Sequence, residues 1–151
     1  MSDTRISKAS ILHACQIKQE LTISDFEKEV KNIRQNLTDH DEIASQAHRG
    51  SGGQNEMLVR LEHELSFLKK ELETLNNLDP NEAKTHVEHG AVVVTDQRTF
   101  FISTSIEQVE VNDKSIFGIS VKAPIFKVME GKKSGESFEF NGIRYQIESI
   151  Y

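Results

Sequence analysis

The clearest pattern in the chain is a row of leucines at helical spacing in its first half. Successive leucines are alternately three and four residues apart, and they are Leu58, Leu61, Leu65, Leu68, Leu72 and Leu75. Most positions between them are charged, so the leucines form one apolar side of a solvated helix. This spacing is that of the seam of a coiled coil, and such a helix needs a partner to bury its leucines.

A second apolar row lies upstream and supplies a candidate partner. Its members alternate in the same way, and they are Ile23, Phe26, Val30, Ile33 and Leu37. Leu12 and Cys15 continue the register towards the start of the chain. Gln19 interrupts it, and Ser7 is a candidate N-cap. The two rows therefore predict two helices that pack against each other.

The segment between the rows contains Gly50-Ser51-Gly52-Gly53, and glycine permits a chain reversal. We therefore expect residues 1–79 to form an antiparallel coiled-coil hairpin, with helices over residues 8–47 and 56–78. If Leu37 faces Leu58, the apex lies near Ala47 and His48. A parallel homodimeric coiled coil is the alternative, since the same leucine row could pair with a second copy.

The pattern changes after Pro80, which is a natural helix stop. Apolar, β-branched and aromatic runs predict strands over residues 91–95, 99–102, 109–111, 116–121, 137–140 and 143–147. Pro124 can open a short helix over residues 124–129. Asn141-Gly142 between alternating strands predicts a type I′ hairpin. The sequence therefore predicts an α+β fold. Its second domain, residues 87–151, would contain a mainly antiparallel sheet and one short helix.

Composition narrows the classes of partner. The chain has 151 residues and a net charge of −6, and both halves are mildly acidic. An acidic chain is a poor binder of duplex DNA, so we expect no independent sequence-specific DNA binding and instead a protein partner. One cysteine excludes an internal disulfide. The sequence has no signal-peptide pattern and no apolar run of about 20 residues, so we expect a cytoplasmic protein without membrane contact.

Several motifs of the second domain resemble the end of the Gre transcript cleavage factors of bacteria. They are Gly90 to Thr95, Ile119-Ser120-Val121-Lys122-Ala123-Pro124-Ile125, Gly131-Lys132, Gly135-Glu136 and Arg144 to Tyr151. The family reads roughly G-A-x-V-x-L, then I-S-V-x-S-P-I, G-K-x-x-G-D and Y-x-I-x-x-I-x-Y. The anchors fall in the family's order over residues 87–151, and the predicted hairpin precedes them.

The resemblance implies an FKBP-like fold for residues 87–151 and bacterial RNA polymerase as the partner. The second domain would dock on the rim of the secondary channel, through the segment Lys122, Ala123, Pro124 and Ile125. The hairpin would enter the channel, and its basic residues Lys28, Lys31 and Arg34 would meet the 3′ end of the nascent RNA. Ordinary helix-surface charge is the alternative interpretation of these three. The protein would be no enzyme itself but would stimulate the polymerase's own RNA cleavage.

In the family, acids at the hairpin tip in the pattern D-x-x-E help to hold a second Mg²⁺ ion. Asp39-His40-Asp41-Glu42 has the same spacing, so Asp39 and Glu42 are the predicted magnesium ligands, with Asp41 a substitute. Magnesium prefers carboxylate oxygens and retains waters, so one or two carboxylates suffice. Two metal ions about 4 Å apart can activate a water and stabilise the leaving oxygen.

Two other functions compete with this one. The residues after the acids, Ile43 to Gln46, lack the family's asparagine, acid and tyrosine. A Gre-like protein that occupies the channel and modulates the polymerase without cleavage is therefore the alternative. A peptidyl-prolyl isomerase is suggested by the FKBP-like fold alone. It would need an aromatic-lined pocket, whereas the chain has no Trp and its aromatics fall mostly in predicted strand cores.

Overall fold

A computed structural model describes the backbone of residues 5–41 and 48–151, and the side chains of residues 5–37, 53 and 55–151. The described elements are two long helices, α1 (Lys8–Asp41) and α2 (His48–Asn76), followed by six strands and a short helix. The predicted α+β architecture of a helical pair before a sheet is confirmed. Within the described residues, no helix combines the length and apolar character that a membrane crossing requires.

The chain divides into two compact units. The helical unit is Gln19–Leu72, and the sheet unit is Met1–Lys18 with Glu73–Tyr151. The start of α1 and the end of α2 thus belong to the sheet unit. The domain boundaries expected from the sequence, residues 1–79 and 87–151, follow the change of pattern at Pro80 and stay a prediction.

In the helical unit, the two apolar rows pack against each other. Ile23, Val30 and Leu65 are buried, and the remaining contacts come from Phe26, Leu58, Leu61, Leu68 and Leu72. Gln19 lies opposite Leu68, and Arg34 lies opposite Glu62, so residue numbers fall on α2 as they rise on α1. The helices are therefore antiparallel partners within one chain, as the hairpin hypothesis predicted.

Gln19, which interrupts the apolar row, is buried in this seam, with 5% of its surface exposed. Its Nε2 donates a hydrogen bond to the backbone carbonyl of Leu68 at 2.9 Å. The bond satisfies an amide that would otherwise cost free energy to bury. A polar residue at position 19 is thus compatible with close packing of α1 against α2.

The glycine cluster was wrongly assigned to a loop. The structure begins α2 at His48, so Gly50, Gly52 and Gly53 lie in its first turns. Glycine costs a helix about 1 kcal/mol relative to alanine. Cooperative extension of a long, packed helix can absorb that cost at a few positions. The expected apex near Ala47 lies outside the described residues, which exclude 42–47.

The sheet has six strands in the order β3-β4-β2-β1-β6-β5. The strands are β1 (Val92–Thr95), β2 (Thr99–Ser103), β3 (Val109–Val111), β4 (Lys114–Ser120), β5 (Ser137–Phe140) and β6 (Ile143–Ile150). All neighbours are antiparallel except β2 and β4, which are parallel with Phe101 beside Gly118. The sheet is thus mainly antiparallel, as predicted, although the parallel pair was not foreseen.

Both faces of the sheet are covered within the sheet unit. One face packs against α3 (Pro124–Met129), whose Phe126 and Met129 join Val93, Phe100 and Tyr145 in one core cluster. The other face carries Val92 and Phe101. It packs against the first turns of α1 and the last turn of α2, through Ile11, Leu12, Cys15 and Leu75. Coverage on both faces explains why β1 and β2 are apolar at nearly every position.

The local signals at element ends acted as predicted. Ser7 caps α1, because its Oγ accepts a hydrogen bond from the backbone N–H of Ser10 at 3.1 Å. Asn141 and Gly142 have φ values of 51° and 78° and join β5 to β6. These positive values are those of the predicted type I′ turn. In the core, Tyr145 stacks on Phe138 with ring centroids 4.8 Å apart and lies tilted against Phe100 at 5.7 Å.

Candidate functional site

The motif that ends in Pro124-Ile125 forms a sharp turn between β4 and α3. Ser120 holds this turn twice: its carbonyl accepts the backbone N–H of Ala123 at 2.9 Å, and its Oγ accepts that of Lys122 at 3.1 Å. Ala123 is extended, with φ −69° and ψ 142°, and provides no side-chain cap. Pro124 then occupies the first turn of α3, where its fixed φ and missing N–H are tolerated.

Two buried side chains fix α3 to the sheet and leave one side of it exposed. Phe126 and Met129 are buried, and Ile125 is partly buried against the same cluster. Pro124 is exposed, and Val121 and Val128 are 40% and 39% exposed. Pro124 and Val128 are four residues apart on α3 and share one side of it, and Val121 lies in the turn before the helix. We call these three exposed side chains the α3 ridge.

The α3 ridge has basic neighbours. Lys122 and Lys127 are both exposed within the same eight-residue stretch, 121–128, which contains no acid. The ridge therefore combines apolar surface with positive charge. Such a surface suits a protein partner that presents apolar groups beside acids.

Of the four predicted docking residues, Lys122 and Pro124 are exposed, whereas Ala123 and Ile125 are half-buried. Val121, Lys127 and Val128 are exposed beside these residues and were not among the predicted docking residues. Val128 lies four residues after Pro124 on α3, and residues at that spacing share a helix face, so the sequence did contain a signal for its position.

The predicted basic residues of the hairpin differ in their surroundings. Arg34 forms an ion pair with Glu62 of α2, across the seam. Lys31 and Arg34 line a groove of about 580 Å³ with Val30, Leu65 and other residues of both helices. Lys28 is exposed and outside that lining. The groove also contains Glu27, which pairs with Lys69 at 3.7 Å, so its charge is mixed.

The predicted magnesium ligands lie largely outside the described residues. The backbone of Asp39 and Asp41 is the last turn of α1, but their side chains are not described, and Glu42 lies in the excluded segment 42–47. Two carboxylates and retained waters suit Mg²⁺ by their chemistry. Among the described residues, no group of three or more His, Cys, Asp or Glu side chains is placed to hold a metal ion.

No family model and no curated protein matches the chain. Among solved structures, it is similar to Gre factor homologues. One is the GreA factor homolog 1 (Gfh1) of Thermus thermophilus, at 12% identity over 85% of this chain and 94% of that one, with a TM-score of 0.34. Another is Thermus aquaticus Gfh1, at 15% identity over 89% and 92% of the two chains, with a TM-score of 0.33.

Proposed function

We propose that the protein is a transcription elongation factor that binds bacterial RNA polymerase at the secondary channel and stimulates cleavage of backtracked RNA. The catalytic centre would be that of the polymerase, and this chain would supply groups to it. One observation supports the proposal above the others. An antiparallel helical pair and a sheet unit occur in one chain, and the Gre-like motif of the sheet unit, residues 119–125, exposes Val121, Lys122 and Pro124 at the start of α3.

The proposed docking contact is the α3 ridge. Its apolar side chains would lose water on binding, while Lys122 and Lys127 would face acids on the polymerase. A carboxylate introduced into the contact would lose its water without gaining a partner. Val128→Glu should therefore weaken binding about tenfold or more.

Ile143→Glu is the control for this variant, because Ile143 is 40% exposed and lies on β6, outside the ridge residues. Ile125→Glu is a poorer test, since Ile125 is partly buried and the change would also disturb the core. Binding of each variant to core polymerase can be measured by fluorescence anisotropy. Equal loss of affinity in both variants would argue against the ridge.

The proposed chemistry belongs to Asp39 and Glu42. These carboxylates would hold a Mg²⁺ ion, which when bound would help to activate water and stabilise the leaving oxygen. Two carboxylates hold Mg²⁺ only weakly. Stimulation should therefore rise with magnesium concentration.

The deciding experiment is cleavage of radiolabelled RNA in a stalled, backtracked bacterial elongation complex. Wild type should stimulate cleavage, and the double variant Asp39→Ala/Glu42→Ala should not, although it binds polymerase equally well. The loss should appear in rate and not in affinity, because the acids would act only in the transition state. If cleavage survives loss of both acids, their role is excluded and Asp41 is the next residue to test.

The second candidate is a channel occupant that modulates the polymerase without cleavage. The sequence at residues 43–46 favours it, because the family's asparagine, acid and tyrosine are all absent there. This protein would slow nucleotide addition, and Asp39→Ala/Glu42→Ala would slow it equally. Measuring elongation and cleavage on the same stalled complex separates the two functions.

A further inference from the structure

Ser120 is the first residue of the turn that precedes α3. The backbone N–H of Ala123 donates to the Ser120 carbonyl at 2.9 Å, which closes a four-residue turn over residues 120–123. Val121 and Lys122 are the two central residues of this turn, and both are exposed. The turn therefore presents one apolar and one basic side chain of the proposed docking contact.

The backbone of this turn has the type I conformation. Type II and the mirror-image types need a positive φ at one or both central residues. Among the described residues other than glycine, only Asn112, Asp113 and Asn141 have a positive φ, and none of them lies in this turn. Negative φ values at both central residues, together with the closing hydrogen bond, define type I.

The Ser120 hydroxyl stabilises type I over type II. Its Oγ accepts a hydrogen bond from the backbone N–H of Lys122 at 3.1 Å. This N–H belongs to the peptide between the two central residues. That peptide distinguishes the two types, because ψ before it differs by about 150° and φ after it by about 170°. In type II the same N–H would point away from Ser120, and the bond to Oγ would be lost.

The part of the ridge that lies on α3 is held by different contacts. Phe126 and Met129 are buried and fix the helix to the sheet. The Lys122 side chain has no such anchor, since no described residue forms a hydrogen bond or an ion pair with its ammonium group. The orientation of the central peptide therefore decides where Lys122 lies relative to α3.

We propose that Ser120 is a positioning residue for the docking contact: by holding the turn in type I, it aligns Val121 and Lys122 with the rest of the α3 ridge. This inference rests on the proposed binding of RNA polymerase. A turn that already has its bound conformation loses less conformational entropy when the partner binds. Without the hydroxyl, the turn would exchange between type I and type II, and only part of the population would be competent to bind.

The test compares Ser120→Ala with Ser134→Ala in the full chain. Ser134 is the matched control, because its hydroxyl also bonds the backbone, at the Glu148 carbonyl 2.9 Å away, but lies outside the ridge residues. Ser120→Ala should weaken binding to core polymerase about threefold, as expected for one lost hydrogen bond, whereas Ser134→Ala should not. The urea midpoints of the two variants should agree, since each loses one exposed hydrogen bond. The backbone chemical shifts of Lys122 should move in Ser120→Ala only.

Conservative variants separate positioning from packing. Ser120→Thr and Ser120→Asn both supply an acceptor for the Lys122 N–H and should restore the affinity to within about twofold of wild type. If neither restores it, or if Ser134→Ala loses affinity equally, Ser120 does not act through the turn. Altered Lys122 shifts with unchanged affinity would overturn this inference and leave the proposed function intact. A wild type that does not bind the polymerase would overturn the proposed function itself and this inference with it.

Discussion

The sheet unit and the helical unit are stabilised in different ways. In the sheet unit, both faces of β1 and β2 are covered, and eleven and ten buried residues form the two core clusters. Among the described residues of the helical unit, the core cluster has three buried residues, and most seam leucines are only partly buried. Since apolar burial contributes about 25 cal/mol per Å², the sheet unit should be the more stable of the two.

This difference matches what each unit is proposed to do. The described part of the helical pair exposes much of its surface, so a partner could reach its side chains. The sheet unit instead holds the α3 ridge in place through Phe126 and Met129. Substitutions should therefore have large effects on stability in the sheet unit and smaller ones in the helical unit.

The largest effect should come from Phe101→Ala. Phe101 has no exposed surface and packs with Val92 and the helix residues Ile11 and Leu75. Removing the ring leaves a cavity, and such changes cost about 3–5 kcal/mol. Val30→Ala in the seam removes less and should cost about 1–2.5 kcal/mol. Urea unfolding of both variants measures the difference, and equal losses would refute the contrast between the units.

A second large effect should come from Gly118→Ala in β4. A Cβ at this position would lie 2.9 Å from the carbonyl oxygens of Thr104 and Ile106 and from the Ile106 Cβ. Backbone cannot move aside as a flexible side chain can, so overpacking should cost about 1–3 kcal/mol. Lys114→Ala, at the exposed start of β4, is the control and should change the urea midpoint little.

Local chemistry allowed much of this fold to be predicted from the sequence. The alternating leucines identified the seam, Ser7 the helix start, Pro124 the start of α3, and Asn141-Gly142 the hairpin. Each of these signals acts over a few residues, so a single sequence contains it. The same is true of the motif at α3, whose position in the sequence could be predicted, although the exposure of Val121 and Val128 beside it was not.

Features that depend on distant residues were not predicted. Leu12, Cys15 and Leu75 fit the helical register, yet they are buried against the sheet and not in the seam. The parallel pairing of β2 with β4 depends on how the chain crosses from one to the other through β3. No short sequence motif indicates that crossing. The glycine cluster was misassigned because glycine's preference for loops was weighed without the packing that extends α2. Long-range packing decided all three.

Cys15 provides a pH-dependent test of burial in the sheet unit. Burial raises the pKa of its thiol to about 12, against the slight opposing effect of Lys18. The folded state therefore keeps a proton that the unfolded chain releases above about pH 8.5. The stability that this proton provides is complete below that pH and is lost as pH rises, by about 1.4 kcal/mol per unit until about pH 12.

Urea unfolding of wild type and Cys15→Ala between pH 8 and pH 10.5 isolates this contribution, because all other titrating groups are shared. The wild type should lose stability faster than the variant above about pH 8.5. Parallel slopes would mean that the thiol is accessible in the folded state. Reaction with a thiol reagent at pH 8 should in that case be fast, whereas a buried Cys15 reacts only through unfolding.

The smallest expected effect is a gain of stability at Gly53. An added Cβ at this position meets nothing within 4 Å, and the residue is helical. Gly53→Ala should therefore stabilise the helical unit by about 0.5–1 kcal/mol, because alanine loses less backbone entropy on entering a helix. Gly131→Ala is the contrasting control: its φ of 78° strains any residue with a Cβ, although space is equally free. Hydrogen exchange of residues 53–60 should slow in Gly53→Ala, and if it accelerates, the start of α2 is not helical and the glycines form the reversal that their composition first indicated.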